Sequence, residues 1–246
     1  MPPGRRGKRA KKAPRESGAS SIESLPDGVL QHILGFLPAR DAVRSCVLAR
    51  RWRDLWMLAT GLRITGNGND DGMNELREFV DHLLLLRGIA PLETCELRFT
   101  DMVDTFSDDD TLRVSLWFQH AVRCQARVLR LVVASEYCFD LNGLHLVSRH
   151  LMQLELVGVQ VKENFLIENF RTALDLDAIT CILKNSPLLE KLTLEHFLKG
   201  SQHMEMKGSY IPGQRTNAIS EHLKIVVVKC GVVDEKVYRV LKLLSE

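Results

Sequence analysis

The sequence predicts an α/β protein in which three short N-terminal helices precede an irregular solenoid, that is, a curved parallel sheet with helices on its outer face. Two observations predict this fold. Apolar residues recur at helical spacing between residues 25 and 56, and a motif of the form L-x-x-L-x-L recurs five times in the rest of the chain. The 246 residues are 45% hydrophobic, which is enough to bury the core of one large domain or two smaller ones.

Residues 1 to 20 are predicted to form a disordered basic tail. Residues 1 to 15 hold seven Lys and Arg and no acid, whereas the net charge of the whole chain is only +2, so the remainder is acidic. Three prolines and a lack of apolar periodicity favour disorder. The tail is a nuclear import signal, a non-specific nucleic-acid contact or a solubilising segment. Without an apolar run of about 18 residues or a secretory signal, the chain is expected in the nucleus or cytoplasm.

The stretch LPDGVLQHILGFLPARDAVRSCVLARRWRDLW, residues 25 to 56, predicts three short helices. Ser24 is the expected N-cap of the first helix, and Pro38 ends its apolar pattern. Asp41 is the expected cap of the second helix, and a third short turn carries Trp52. A segment of under about 40 residues seldom builds a core of its own. Another surface is therefore expected to cover these apolar side chains.

The same stretch closely resembles the F-box of plant F-box proteins with leucine-rich repeats, many of which end in an FBD region. The triplets LPD at 25–27 and RRW at 50–52 carry the resemblance together with the apolar positions between them. It implies a three-helix F-box at residues 21–60 that docks on a Skp-type adaptor, which links it to a cullin. The residues implied to bind the adaptor are Leu25, Pro26, Leu30, Ile33, Leu34, Leu37, Pro38, Val43, Val47 and Trp52.

One position departs from the family pattern. Ala49 stands where the family usually has Ser, just before the third helix. Loss of an N-cap oxygen is expected to weaken that helix slightly.

Residues 61–90 are interpreted as a linker and a helix, with the loop GNGNDDG at 66–72 and an apolar helix face that ends before Gly88. Leucine-rich repeats are predicted at residues 91–246. A single repeat cannot bury its own apolar face, so neighbouring repeats must stack. The last members of the five motifs are therefore predicted to share one buried position in adjacent parallel strands: Leu97, Leu131, Leu156, Leu194 and Val228.

Helices are predicted before two of these strands. The first is expected to bury Leu116, Trp117, His120, Ala121 and Cys124, and the second Leu176, Ile179, Ile182 and Leu183.

The last part of the repeat region adds two details to the resemblance. SPLLEKLTL, residues 186–194, is similar to the repeat signature of the family, with Ser186 where Cys is commonest. Residues 218–246 resemble the start of an FBD region, a strand followed by a helix. Because no further strand follows, an exposed strand edge is predicted near Lys224 to Val228.

Catalysis and metal binding find no support in the sequence. It contains no phosphate-binding loop, no G-x-S-x-G and no H-E-x-x-H. The six cysteines include no C-x-x-C pair and are interpreted as reduced core residues. Asp108 to Asp110 are interpreted as a solvated loop or a helix N-terminus. Neither a cofactor nor a metal is expected.

The resemblance implies a non-catalytic subunit of a ubiquitin ligase that holds a protein target of unknown identity. An alternative is a nuclear nucleic-acid-binding or scaffold protein that acts through its basic tail, although the acidic remainder makes nucleic acid an unlikely partner of the folded part. Target binding is predicted on solvent-facing strand residues between the inward leucines: Arg98, Arg130, Glu155, Thr193 and Val227.

Overall fold

The computed structural model describes residues 22–67, 70–102, 107–135, 139–142, 147–162, 176–195, 204–209, 221–230 and 242. Two predicted features lie outside the described residues. One is the basic tail at 1–20. The other is the apolar stripe of the C-terminal helix, which consists of Val237, Val240, Leu241 and Leu244.

The N-terminal segment folds into two short α-helices and four 3-10 turns, so the prediction of three helices fits only loosely. The helices are α1 (Asp27–Leu34) and α2 (Ala39–Arg44), and the turns are Ile22–Ser24, Ser45–Val47, Arg50–Trp52 and Leu55–Leu58. Pro26 and Pro38 stand at the two N-cap positions. Ser24 and Asp41 are therefore not the caps that the sequence predicts. Proline suits a helix start because its φ is already fixed and it has no N–H to satisfy.

The described residues after the N-terminal segment are built around a seven-stranded sheet in the order β1-β2-β3-β5-β7-β9-β8. Its first six strands are parallel, and β8 is antiparallel to β9. Strands β4 and β6 form a separate parallel pair. The elements are β1 (Gly61–Asn67), α3 (Asp70–Arg87), β2 (Thr94–Met102), α4 (Asp108–Arg123), β3 (Val128–Ser135), β4 (Phe139–Asn142), β5 (Gln153–Val157), β6 (Val159–Lys162), α5 (Leu176–Asn185), β7 (Lys191–Glu195), β8 (Met204–Ser209) and β9 (Ile225–Cys230).

The predicted register of the five motifs is confirmed. Leu97 pairs with Leu131, which pairs with Leu156, and the row continues through Leu194 to Val228. All members of the five motifs are buried, with exposed fractions between 0 and 8%. They form one core together with the buried stripes of α3, α4 and α5. Burial of this order contributes roughly 1.5–3 kcal/mol for each large side chain.

The sequence analysis missed a sixth copy of the motif. Ala59, Leu62 and Ile64 have the same spacing and are also buried. Ile64 pairs with Leu97, which makes β1 the first strand of the parallel sheet. The start of the segment interpreted as a linker thus forms strand β1, and α3 follows it.

A repeated set of backbone hydrogen bonds, called the backbone ladder below, links each parallel strand of the large sheet to the one before it. Before β2, the carbonyl of Thr60 accepts hydrogen bonds from two successive N–H groups, those of Glu93 and Thr94. The same arrangement recurs at the start of every later parallel strand, with the acceptor carbonyls of Glu93, Arg127, Met152 and Glu190. Each strand therefore begins at a point set by the strand before it, whatever the length of the connection between them.

The predicted stripes of α3 and α5 are confirmed where their side chains are described, but that of α4 is partly wrong. Leu116 is 52% exposed, whereas Val114 and Phe118 are buried beside the predicted Trp117. A stripe of residues spaced three and four apart drifts around the helix, so its edge is easily misplaced. Ser107 and Asp110 form a capping box, so the acidic run lies at the N-terminus of α4.

The prediction of an exposed strand edge near Lys224 to Val228 is wrong. Strand β8 pairs along the whole of β9, from Ser209 opposite Ile225 to Met204 opposite Cys230. An antiparallel strand supplies the hydrogen bonds that the next parallel strand would otherwise make. The β9 edge is consequently covered by β8.

At the other end of the sheet, the N-terminal helices approach β1 through two glycines. A Cβ atom on Gly35, the residue after α1, would lie 2.5 Å from the backbone nitrogen of Gly61. Real Cβ atoms do not come so close to backbone. The absence of both side chains lets the two backbones touch.

We expect Gly35→Ala to destabilise the protein by about 1–3 kcal/mol, because neither backbone can move aside easily. Gly28 is the matched control, since it lies in α1 and a Cβ atom added to it would meet nothing within 4 Å. Gly28→Ala should stabilise the helix by about 0.5–1 kcal/mol. Urea unfolding of both variants measures the two free energies, and equal effects of the same sign would contradict this account of the junction.

We also expect Ser186→Ala to stabilise the protein by about 1–3 kcal/mol. The Oγ atom of Ser186 is fully buried and has no hydrogen-bond partner among the described residues. Ser148 occupies the same position relative to β5, three residues before Leu151, but its Oγ accepts from the N–H groups of His150 and Leu151. Ser148→Ala should therefore destabilise. Thermal unfolding of the two variants should show melting temperatures shifted in opposite directions.

Candidate functional site

The described part of the N-terminal segment leaves a set of large apolar side chains in solvent. This apolar surface is defined by the exposed members of residues 22–58, which are Ile22, Val29, Phe36, Leu37, Val47, Leu48 and Leu58. The most exposed is Val47, at 82%. Contiguous exposed apolar residues on a soluble domain usually mark an interaction site.

Helix α1 is apolar on two stripes, and only one of them faces the core of the chain. Leu30 and Leu34 are buried, and so is Trp52 in the turn that follows α2. These three residues of the predicted adaptor-binding set are core residues, so their assignment to a partner contact is corrected. The chain's own β1 and α3 complete the core that the sequence analysis assigned to a partner.

The other predicted adaptor-binding residues lie at or near the surface. Leu25, Ile33 and Val43 are half-buried, whereas Pro26, Leu37, Pro38 and Val47 are exposed. The sequence analysis missed the remaining exposed apolar residues, which are Ile22, Val29, Phe36, Leu48 and Leu58. Spacing reveals that α1 has two apolar stripes, but it does not reveal which of them the sheet will cover.

The LPD and RRW triplets are joined by an ion pair. Arg51 Nε donates to Asp27 Oδ1 at 2.8 Å, and Nη2 of Arg51 donates to the carbonyl of Leu25. This contact links the turn Arg50–Trp52 to the first turn of α1. Its charges are partly in solvent, so it adds at most about 1 kcal/mol.

A buried cation joins the N-terminal segment to α3. The guanidinium of Arg87 is 6% exposed and donates to the carbonyls of Trp56 and Ala59, both at 2.9 Å. Burial lowers the pKa of Arg87 from its ordinary value, but an arginine side chain stays protonated in proteins. These hydrogen bonds to a charged donor fix the orientation of the apolar surface relative to the sheet.

The face of the sheet opposite the helices carries the predicted target-binding residues, although they do not form one row. Arg130, Glu155, Thr193 and Val227 pair in sequence across adjacent strands. Glu96 rather than Arg98 pairs with Arg130. Arg98 lies two residues further along β2 and donates to Glu96 Oε1 at 2.8 Å.

Only part of this row is accessible. Thr193 and Val227 are buried, which corrects the prediction that they face solvent. Arg130 and Glu155 are partly exposed and form an ion pair at 3.1 Å. The Arg130–Glu155 and Arg98–Glu96 ion pairs therefore neutralise part of the charge on this face. Arg98, Arg130 and Glu155 are the predicted target-binding residues that remain at least partly exposed.

The described residues contain no group of three or more side chains able to hold a metal ion. Cys46, Cys95 and Cys124 are free thiols. Burial raises the pKa of the Cys95 thiol to about 12, so this side chain is protonated and unreactive at neutral pH. Among the helices of the described residues, none has the length and apolar character to cross a membrane.

The apolar surface coincides with a known domain. The family model described as the F-box domain matches residues 22–58. The chain carries an F-box. Its start in the first 3-10 turn and its end in the fourth agree with the segment whose buried residues pack against β1 and α3.

Similarity to plant F-box proteins extends well beyond this domain. An F-box/LRR-repeat protein from Arabidopsis thaliana is 31% identical over 237 residues, which cover 89% of this chain and 58% of the relative. An FBD-associated F-box protein of the same plant is 27% identical over 180 residues, or 70% of this chain and 40% of the relative. The chain thus spans about half the length of these relatives. The resemblance to plant F-box proteins with leucine-rich repeats is confirmed.

We expect Ala49→Ser to stabilise the F-box by about 0.5–2 kcal/mol. Ala49 has φ −160° and ψ 162°, and it stands at the N-cap of the turn Arg50–Trp52 without a side-chain hydrogen bond to that turn. A serine hydroxyl there can accept a hydrogen bond from an N–H group at the start of the turn. Ala49→Val is the control, because it adds bulk without an acceptor. Denaturant unfolding checks the order of stability, and a valine variant as stable as the serine variant would contradict the capping argument.

Proposed function

We propose that this F-box protein is a substrate-recognition subunit of a Skp–cullin–F-box ubiquitin ligase. The observation that carries the proposal is the apolar surface, which lies within the matched F-box segment and is left uncovered by the rest of the described chain. The protein is not an enzyme in this proposal. It accelerates ubiquitin transfer by holding a target close to the machinery that performs the chemistry.

The F-box binds a Skp-type adaptor, and through it a cullin, by means of the apolar surface. The exposed and half-buried members of the predicted set contribute here, namely Leu25, Pro26, Ile33, Leu37, Pro38, Val43 and Val47. Leu30, Leu34 and Trp52 contribute indirectly because they anchor α1 and the turns to the sheet. A stable contact of this kind buries about 1,200–2,000 Å² in total, which several neighbouring side chains from α1, α2 and the turns can supply.

The six in-register parallel strands support a leucine-rich-repeat solenoid, which would present one extended face to a protein target. Arg98, Arg130 and Glu155 are the residues of that face that we assign to target recognition. Their paired charges favour a partner with charges of both signs rather than a nucleic acid, whose phosphates would meet acidic side chains. The protein acts in the nucleus or the cytoplasm in this proposal, and the basic tail promotes nuclear entry.

The adaptor contact is tested with Val47→Asp. Its side chain is almost free of contacts within the chain, so a charge there should leave folding intact. It should nevertheless weaken binding to a purified Skp-type adaptor at least about tenfold, because a carboxylate would be buried without a partner. Isothermal titration calorimetry with the whole 246-residue chain measures the affinity, and circular dichroism confirms the fold.

Leu112→Asp is the matched control, since Leu112 is an exposed leucine of α4 outside the F-box. It should bind the adaptor like the unaltered protein. A folded Val47→Asp variant that retains full affinity would speak against the ligase function.

A further inference from the structure

Strand β1 lies at one end of the large sheet, and its outer side faces no other strand of the described chain. In a parallel ladder, alternate residues of a strand direct both backbone groups to the same neighbour. The carbonyl of Thr60 accepts hydrogen bonds at the start of β2, so the residues two and four positions later, Leu62 and Ile64, also face β2. The backbone groups of Arg63 and Thr65 therefore point away from the sheet.

The outward backbone groups form an open strand edge. Among the described residues, none makes a backbone hydrogen bond to Arg63 or Thr65 from this side. Thr65 is exposed and Arg63 is half-buried. The contact between Gly35 and Gly61 lies two residues before Arg63, at the beginning of the strand. An unpaired edge of this kind is a template for a further strand, and many proteins bind extended peptides by adding them to such an edge.

A row of charged side chains crosses the sheet from this edge. Pairing across adjacent strands aligns Arg63 with Glu96, Glu96 with Arg130, and Arg130 with Glu155. The charges alternate along the row, and its last two members belong to the face assigned to target recognition. Residues opposite each other on neighbouring strands have Cβ atoms about 4.5–5.5 Å apart. A strand added beside β1 would therefore place one side chain next to Arg63.

The charge of Arg63 has no carboxylate partner among the described residues. Its neighbour in the row, Glu96, accepts from Nη2 of Arg98 at 2.8 Å. The guanidinium of Arg63 lies instead over the ring of Phe36, 5.8 Å from the centroid, and Phe36 is 57% exposed. A ring beneath the guanidinium plane leaves the N–H groups at the edge of that plane able to bind a carboxylate.

We propose that an extended segment of the target protein adds to β1 as a further strand and places an aspartate or glutamate beside Arg63. The backbone of this segment bonds to the outward groups of Arg63 and Thr65, and its acidic side chain extends the alternating row by one member. Backbone contacts supply affinity, and the acidic residue supplies selectivity. This inference rests on the proposed function, because it names the kind of target segment that the sheet holds.

Charge disfavours two other occupants of this edge. The basic tail of the same chain has seven Lys and Arg and no acid at residues 1–15, so it would bring like charge to Arg63. Head-to-tail pairing with β8 of a second copy would do the same in this register, because Lys207 is the β8 residue of the row. An acidic segment is the occupant that completes the alternation.

Hydrogen exchange of the whole 246-residue chain, followed by NMR, tests whether the edge is open. The amides of Arg63 and Thr65 should exchange at least about tenfold faster than those of Leu62 and Ile64, which donate to β2. Equal protection of all four amides would show that the edge is already covered, and the inference would be overturned.

Two synthetic peptides test the chemistry of the occupant, Thr-Val-Thr-Glu-Thr-Val-Thr and the same sequence with lysine in place of glutamate. In an NMR titration, the glutamate peptide should bind about three- to tenfold more tightly than the lysine peptide and slow exchange at Arg63 and Thr65. Arg63→Glu should reverse this preference, and Arg63→Gln should remove it. Arg123→Glu is the matched control, since Arg123 is an exposed arginine of α4, and it should retain the preference.

A preference for the glutamate peptide that survives Arg63→Glu would contradict the inference, and so would binding that leaves exchange at Arg63 and Thr65 unchanged. Arg63→Glu should bind the Skp-type adaptor like the unaltered protein, and Val47→Asp should still bind the glutamate peptide. If Val47→Asp keeps full adaptor affinity, the ligase function fails and the peptide site stands. If neither peptide binds, or if saturating adaptor displaces the glutamate peptide, the strand-addition site fails and the ligase function stands.

Discussion

Each parallel strand after the first begins where one carbonyl group of the preceding copy accepts two successive N–H groups, and the rest of the structure depends on this repeated contact. It sets the register between neighbouring strands whatever connects them. A helix lies between β1 and β2, for example, whereas the short strand β4 lies between β3 and β5. The register in turn brings the inward side chains into continuous rows. Because the period of a strand is two, a slip of one residue would move every leucine to the wrong face.

The ladder also explains why the spacing of the motif is irregular. In a parallel sheet the connection only has to return the chain to the same end of the next strand, and it can do so with different elements. Helices α3 and α4 make the first two returns and α5 precedes β7. Motif copies at unequal spacing therefore share one core, and the antiparallel strand β8 pairs with the outer edge of β9.

The F-box packs against the sheet and α3 as part of the same core. One stripe of α1 packs with β1 and α3 in the common core, Gly35 touches Gly61 without side chains between them, and Arg87 holds the last turn of the F-box from α3. Buried residues of β1 and α3 complete the core that this short segment begins. This arrangement leaves the second stripe of α1 and the residues around Val47 free, which separates the residues that stabilise the F-box from those that are open to a partner.

The sequence by itself determined the elements that depend on local pattern. These are the F-box segment with its LPD and RRW triplets and the buried row from Leu97 to Val228. Only the tertiary structure decided which of two apolar stripes on α1 is covered, that Ala59, Leu62 and Ile64 form a further copy, and that β8 covers β9. The physical reason is that spacing reports which residues share a face, whereas burial depends on what packs against that face. Leu30 and Val29 are neighbours of similar chemistry, and only the position of β1 and α3 makes one of them core and the other surface.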